Sequence, residues 1–463
     1  DPRKDSEARM ALFNTRPDDE EFGIEVANDG NPSIALAVVK RLRQLPHPLS
    51  DDFRLDLAEA RAISTMDPAR AHALLDRVES RARELGARYE EGLVLLRRGG
   101  FLNRAGRRVE ALGPLRKAFR LFSETGNLRW AATAGSQFAY VSSEVAPIRE
   151  AVATMDEVTA LYRRLGHRAA LTSLLPASSE LSQWAGDAET AKKRLDEAFS
   201  EAELLGDERG SPSLSMRIKL LRADAEGKEA WSTLQQWKKE IGTTNWLTLP
   251  YEAWLLWDQD RLAEALVTEK RGVLAAEQEG STQYATGNKL FACGWECEQG
   301  RITEGLACLE SVPSMSGAGL AYVSVRGEAE TRCKYLAKDY PGAESAARAA
   351  LSGLARDPGF WFARMPNEIA LGRAMAANGK AARAVADLKA RLADIESRPG
   401  YRALAFEARL ALGEAELMSG IAAGRLRLAR LEQDAKQRES FRIARLAREA
   451  LDRKSVASAT RRH

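Results

Sequence analysis

Chemistry in this chain would have to come from a small set of side chains. The histidines are His47, His72, His167 and His463. None has a second histidine or a cysteine at ligand spacing, so no metal site and no cofactor are expected. His72 and His167 read as surface or turn residues. The cysteines Cys293, Cys297, Cys308 and Cys333 crowd into one stretch. Cys293 and Cys297 are one helical turn apart and would share a face. They read either as a zinc or redox cluster or as small apolar residues at helix contacts. Without a paired C-x-x-C, packing is the expectation. Four cysteines in so long a chain do not predict a disulfide framework, and reduced thiols fit a cytoplasmic protein.

Other catalytic patterns fail on count. Gly372 through Lys380 ends in Gly-Lys, but six residues separate its glycines and Ala381 stands where a phosphate loop needs Ser or Thr. G-x-S-x-G, H-E-x-x-H and G-x-G-x-x-G do not occur. Asp18, Asp19, Glu20 and Glu21 read as a helix start, where the dipole favours negative charge. The chain is therefore not expected to be an enzyme. An enzyme on a helical scaffold stays an alternative, and it would need acids or histidines meeting in one closed pocket.

The elements must come from a chain that is 44% hydrophobic, 29% charged and 7% aromatic, a globular balance. Its abundance of Ala, Leu, Arg and Glu favours helix. At 463 residues it exceeds one ordinary compact domain. Net charge is +3, which by itself does not call for a nucleic-acid partner. The excess is C-terminal: twelve Lys and Arg against five Asp and Glu from Arg425 to His463. Arg442, Arg445, Arg448, Arg453, Lys454, Arg461 and Arg462 could meet an acidic partner or nucleic acid, or could be the solvated face of a capping helix. Ile443, Leu446 and Ala450 give that helix its apolar stripe. No apolar run approaches the roughly 20 residues that span a bilayer, and no signal peptide is recognised. The start at Asp1 rather than Met suggests a processed form or an excised fragment.

Glycines recur at Gly86, Gly126, Gly166 and Gly206, a period of 40. Gly106, Ala146 and Gly186 form a second series half a period away. In the segments 67–86, 107–126, 147–166 and 187–206 the fifth position is always alanine: Ala71, Ala111, Ala151 and Ala191. Then come Leu75, Leu115, Met155 and Leu195; Val78, Ala118, Val158 and Ala198; Ala82, Phe122, Tyr162 and Ala202. Steps of four, three and four put them on one helix face. Between these segments lie the partner helices, predicted at 88–104, 128–145 and 168–185. Further pairs are predicted near 212–241, 247–279, 282–311, 318–356, 360–396 and 401–436, where glycine spacing drifts. Pro313, Gly317 and Gly319 mark a loop. One pair cannot bury its stripe, so pairs must stack.

The spacing of Ala111, Leu115 and Ala118, with Gly106 five residues earlier, resembles the tetratricopeptide repeat. So do Leu371-Gly372 followed by Gly379, Ala384 and Leu388, and Leu412-Gly413 followed by Gly420. Arg98 and Ser178 depart from it, occupying places where the family prefers a large apolar residue. The likeness implies an all-α, right-handed superhelical solenoid of antiparallel helix pairs, here in about 40-residue units. It divides the chain into a lead segment 1–17, a solenoid 18–437 and a capping helix with basic tail 438–463. It also implies that the first helix of each pair lines a concave binding surface. The candidate partner contacts on first helices are then Arg97, Arg98, Arg217, Lys219, Trp254, Trp257, Arg326 and Arg364, with arginines suited to bidentate grip of carboxylates. The aromatics Trp231, Trp237, Trp246, Tyr251, Trp254 and Trp257, and Phe360, Trp361 and Phe362, are either a groove or filling where the geometry breaks down. The stretch ALAFEARLALGEAELMSG, Ala403 to Gly420, resembles long repeats of bacterial multidomain regulators. That implies a sensor or scaffold that binds a protein or peptide, with nucleic-acid binding as the alternative.

Overall fold

The computed structural model describes residues 32–47, 49–64, 66–105, 107–145, 147–206, 211–242, 245–279, 281–313 and 319–459. The acids Asp18 to Glu21, and with them the lead segment, lie outside these residues, as do Gly106 and Ala146. All regular structure among the described residues is helical. The helices are α1 (Pro32–Leu42), α2 (Phe53–Ile63), α3 (Pro68–Glu84), α4 (Arg88–Arg104), α5 (Arg108–Glu124), α6 (Leu128–Val145), α7 (Ile148–Leu165), α8 (Arg168–Trp184), α9 (Ala188–Leu204), α10 (Ser211–Ala223) and α11 (Gly227–Ile241). They continue as α12 (Leu249–Asp258), α13 (Leu262–Gln278), α14 (Thr282–Glu298), α15 (Ile302–Ser311), α16 (Leu320–Leu336), α17 (Tyr340–Leu354), α18 (Trp361–Met375), α19 (Ala381–Glu396), α20 (Arg402–Met418), α21 (Ala423–Gln437) and α22 (Phe441–Ala459). Even-numbered helices are the first members of pairs and odd-numbered helices the second. The chain is an all-α solenoid of tetratricopeptide-like helix pairs.

The predicted stripe is the core. Ala71, Ala111, Ala151 and Ala191 are fully buried, and so are Leu75, Leu115, Val78, Ala118, Val158 and Ala198. Each of these second helices closes on its glycine, with φ from +62° to +73° at Gly86, Gly126, Gly166 and Gly206. First and second helices interlock by leucine knobs over glycine holes. A Cβ on Gly99 would lie 2.5 Å from Leu115, one on Gly372 2.6 Å from Leu388, and one on Gly413 2.6 Å from Leu428. Only glycine admits the leucine there.

Contacts divide the chain into two units, residues 1–142 with 154–165, and residues 143–153 with 166–463. Within the second, successive first helices pack on one another, and the array also closes on itself: α8 touches α18, α10 touches α20, and α12 touches α22. Helices five pairs apart therefore meet. Polar clamps mark each crossing. Asp357 accepts from the Ile148 N–H. The Tyr401 hydroxyl donates to the Gln183 carbonyl at 2.6 Å, and Arg398 donates to the Gly186 carbonyl at 3.3 Å. Arg402 reaches the Asp224 carbonyl at 3.2 Å and Glu226 at 3.1 Å, and Arg438 joins the same Glu226. Arg445 meets Asp260 at 2.7 Å.

The cysteines depart from the sequence expectation. All four are paired, Cys293 to Cys308 and Cys297 to Cys333, across α14, α15 and α16. Side chains at these spacings carry no disulfide signature in a linear reading. The three helices bring them into one core with Leu290, Leu309 and Ala329.

Candidate functional site

In the second unit the first helices turn their side chains inward, where the expected contact residues meet partners of their own. Trp257, on α12, is buried. Its indole N–H donates to Glu298 at 2.8 Å, and Trp295 stacks on it with centroids 5.8 Å apart. The Arg442 guanidinium from α22 sits 3.6 Å from its ring centre, with Arg332 at 5.2 Å and Arg222 at 5.7 Å. Three cations around one indole need anions. Glu298 pairs with Arg332 at 3.3 Å and Arg442 at 3.6 Å, and Glu407 pairs with Arg442. Burial pushes against the Glu298 charge, but Arg332, Arg442 and the indole N–H together hold its pKa below the ordinary carboxylate value.

Lys219, on α10, is likewise engaged. Burial opposes its charge, yet Glu180 and Tyr251 raise its pKa. Trp254 packs edge-on against Phe291 and lies under Arg222. Arg217 lies over Phe199 at 5.6 Å. Arg326 donates to the Val312 carbonyl at 3.0 Å, and Arg364 pairs with Glu368 at 2.7 Å. In the first unit Arg98 bridges Asp76 and Glu79, both at 2.7 Å, and Arg97 is half-buried on α4. Within the second unit the structure thus brings Trp254, Trp257 and Lys219 into one interior neighbourhood and leaves Arg326 and Arg364 apart from it. Aromatics of the run fill cores: Trp237 and Tyr251 in one, Trp257 and Trp295 in the next.

The basic C-terminal helix spends its charge in the same way. Arg442 is buried, Arg445 holds Asp260 and Glu449, and Arg448 pairs with Asp452. Lys380, at the end of the Gly-Lys stretch, has a carboxylate partner. Together with Asn378 and Arg348 it holds Glu344, whose pKa these hydrogen bonds lower to about 2. His167 caps α8, its Nδ1 accepting from the Ala170 N–H at 3.2 Å. Among the described residues no group of three or more His, Cys, Asp or Glu could hold a metal ion, and no helix is long and apolar enough to cross a membrane.

An open groove occurs in the first unit, and the sequence reading missed it. It lies between α1 and α3, with α2 beneath, and measures about 730 Å³. Leu36, Val39, Ala73 and Leu74 form its apolar walls; Lys40, Arg43, Arg70 and Arg77 bring positive charge. Glu59 at the base pairs with Arg43 and Arg70, while Asp56 pairs with Arg43 and Arg77. Burial works against the Arg43 charge, but the bonds to Asp56 and Glu59 win and raise its pKa. Two carboxylates thus face four cations, and the side chains of Arg70 and Arg77 remain 61% and 65% exposed. α1 and α3 are both second helices, whereas the family resemblance pointed to first helices. Steps of three and seven, Lys40 to Arg43 and Arg70 to Arg77, were its only linear trace.

The sequence matches no protein-family model and no curated protein. Solved structures resemble it in outline. A Rap protein complexed with competence and sporulation factor is 12% identical, covering 80% of this chain and 99% of its own, at a TM-score of 0.39. A monomeric IFIT1 mutant with m7Gppp-AAAA is 13% identical, covering 94% and 95%, at 0.44. Yeast Tom70 is 10% identical, covering 99% and 98%, at 0.39. At these scores the likenesses carry no argument about function.

Proposed function

We propose that the chain is a non-catalytic protein- or peptide-binding scaffold, the sensor part of a larger bacterial regulatory protein. Its partner would present an acidic segment with apolar anchors. The supporting observation is the groove between α1 and α3, where four cations exceed two carboxylates over apolar walls. Carboxylates of a partner would compete with Glu59 and Asp56 for the exposed guanidiniums, forming charge-assisted bonds. Electrostatic attraction of this kind speeds encounter and weakens as salt rises.

The test is fluorescence polarisation with a labelled peptide alternating glutamate and leucine. Binding is expected at low salt, weakening with added salt, and lost in Arg70→Glu/Arg77→Glu. A lysine–leucine peptide is the control. Equal binding of both peptides, or no effect of the double charge reversal, would rule the reading out. Of the basic C-terminal residues behind the nucleic-acid alternative, Arg442, Arg445 and Arg448 pair with carboxylates of this chain, while Arg461 and Arg462 lie outside the described residues.

A further inference from the structure

We propose that the Cys293–Cys308 disulfide is a thiol-exchange site that releases helix α15, whereas Cys297–Cys333 is a shielded staple. The two bonds differ in access. Cys297 and Cys333 are both buried, and Cys293 is fully so, whereas Cys308 is half-buried on α15. A thiolate must reach a sulfur to exchange with it, so attack falls on Cys308.

Besides the disulfide, α15 is held at its C-terminal end, where Arg326 of α16 donates to the Leu309 and Val312 carbonyls at 3.4 and 3.0 Å, and by a small apolar contact. The helix has ten residues, with Gly305 and Leu309 buried, whereas α5 has seventeen and buries Ala111, Leu115, Ala118, Leu121 and Phe122. It also roofs the inner bond. A Cβ on Gly305 would lie 2.3 Å from the Cys297 Sγ and 2.8 Å from the Cys293 carbonyl, so the backbone of α15 rests directly on that sulfur. α16 packs on α14 without α15 between them, so the array survives when α15 lifts.

The chemistry balances with a small-molecule thiol as the reductant. Its thiolate attacks the Cys308 sulfur, breaking the bond to Cys293 and leaving Cys293 as the thiolate, which takes up a proton. A second thiol resolves the mixed disulfide at Cys308, giving two cysteine thiols and one oxidised thiol dimer. Two electrons have passed from the two small thiols to the cysteines. Release of α15 uncovers Leu309, Val312 and the Cys297 sulfur beneath.

The experiment treats the native, air-oxidised full chain with graded dithiothreitol, alkylates it with iodoacetamide, and maps the cysteines by mass spectrometry. Cys293 and Cys308 should be alkylated at concentrations that leave Cys297 and Cys333 bonded. Hydrogen exchange should then accelerate across 302–312 and stay unchanged across 108–124. Cys293→Ser/Cys308→Ser should show the fast exchange without reductant. Four alkylatable thiols in the untreated protein, simultaneous reduction of both bonds, or unchanged exchange at 302–312 after reduction would each overturn the proposal. The alkylation order is read on the wild-type chain, so it stands even where the double variant fails to fold.

Discussion

Replacing Gly413 by alanine should reverse its effect on stability when Leu428 is shortened. In the native chain the new Cβ would stand 2.6 Å from the Leu428 Cγ and 2.8 Å from its Cδ2, and Leu428 is fully buried. The leucine has nowhere to go, so overpacking should cost about 1–3 kcal/mol. Against that, alanine in a helix interior gains about 1 kcal/mol over glycine. The net for Gly413→Ala is a loss of about 0–2 kcal/mol. Leu428→Ala alone removes a buried leucine and should cost about 2–5 kcal/mol. In that background the clash is gone, and Gly413→Ala should stabilise by about 1 kcal/mol from helix propensity, with some added gain from filling the void. The coupling between the two sites is then about 1–3 kcal/mol, within the range for residues in contact. Equilibrium urea unfolding of the four proteins, followed by circular dichroism, reads this directly, provided the slope m stays constant. If Gly413→Ala has the same sign and size in both backgrounds, the knob-and-hole account of helix pairing is wrong.

Three further outcomes can be checked. Glu269 is fully buried, neither oxygen has a hydrogen-bond partner among the described residues, and burial raises its pKa well above 4.5 despite Arg222 nearby. A raised folded pKa means that its contribution is retained at acid pH and lost as pH climbs above 4.5, so Glu269→Gln should raise Tm at pH 7 and make no difference near pH 4. Glu344 behaves in the opposite sense: its pKa is lowered to about 2 by Lys380, Asn378 and Arg348, so its stabilisation is present above 4.5 and lost as pH falls toward 2. Glu344→Gln should cost about 1.5–3 kcal/mol at pH 7, and the cost should vanish in acid-unfolding curves at the low end. Tyr401→Phe removes the bond to the Gln183 carbonyl and should cost about 0.5–1.5 kcal/mol. Hydrogen exchange should quicken at 183–187 as well as around 401, and a change confined to the neighbours of 401 would disprove the clamp.

The helix pairs were legible because the 40-residue period repeats its stripe without gaps, from Ala71 to Ala202. The period faded after Gly206 for a reason visible in the backbone. From α8 onward the described turns between first and second helices each hold a left-handed residue, which is glycine at Gly186, Gly300, Gly379 and Gly420. Ala225, Asp260 and Lys338 adopt φ of +55°, +64° and +64° in the same turns. These positions lie 35 to 41 residues apart, so both the residue type and the spacing drift from the early period. Asp260 is informative, since its strained backbone also presents the carboxylate that grips Arg445. The groove was illegible because α1 and α3 contribute its cations separately, and their convergence is tertiary. The inward burial of Trp257 was hidden for the same reason. Its partner Arg442 is supplied by a helix near the other end of the chain, and no local spacing records that.

Closure of the second unit bears on how such a chain can evolve. Open arrays tolerate gain or loss of a unit, because each unit touches only its neighbours. Here Gln183 must meet Tyr401, Glu226 must meet Arg438, and Asp260 must meet Arg445. Duplicating or deleting one hairpin between them would shift every later residue out of phase with its distant mate. The number of hairpins from α8 to α22 is thereby fixed by geometry, and length variation among descendants should be confined to turns and to the two ends.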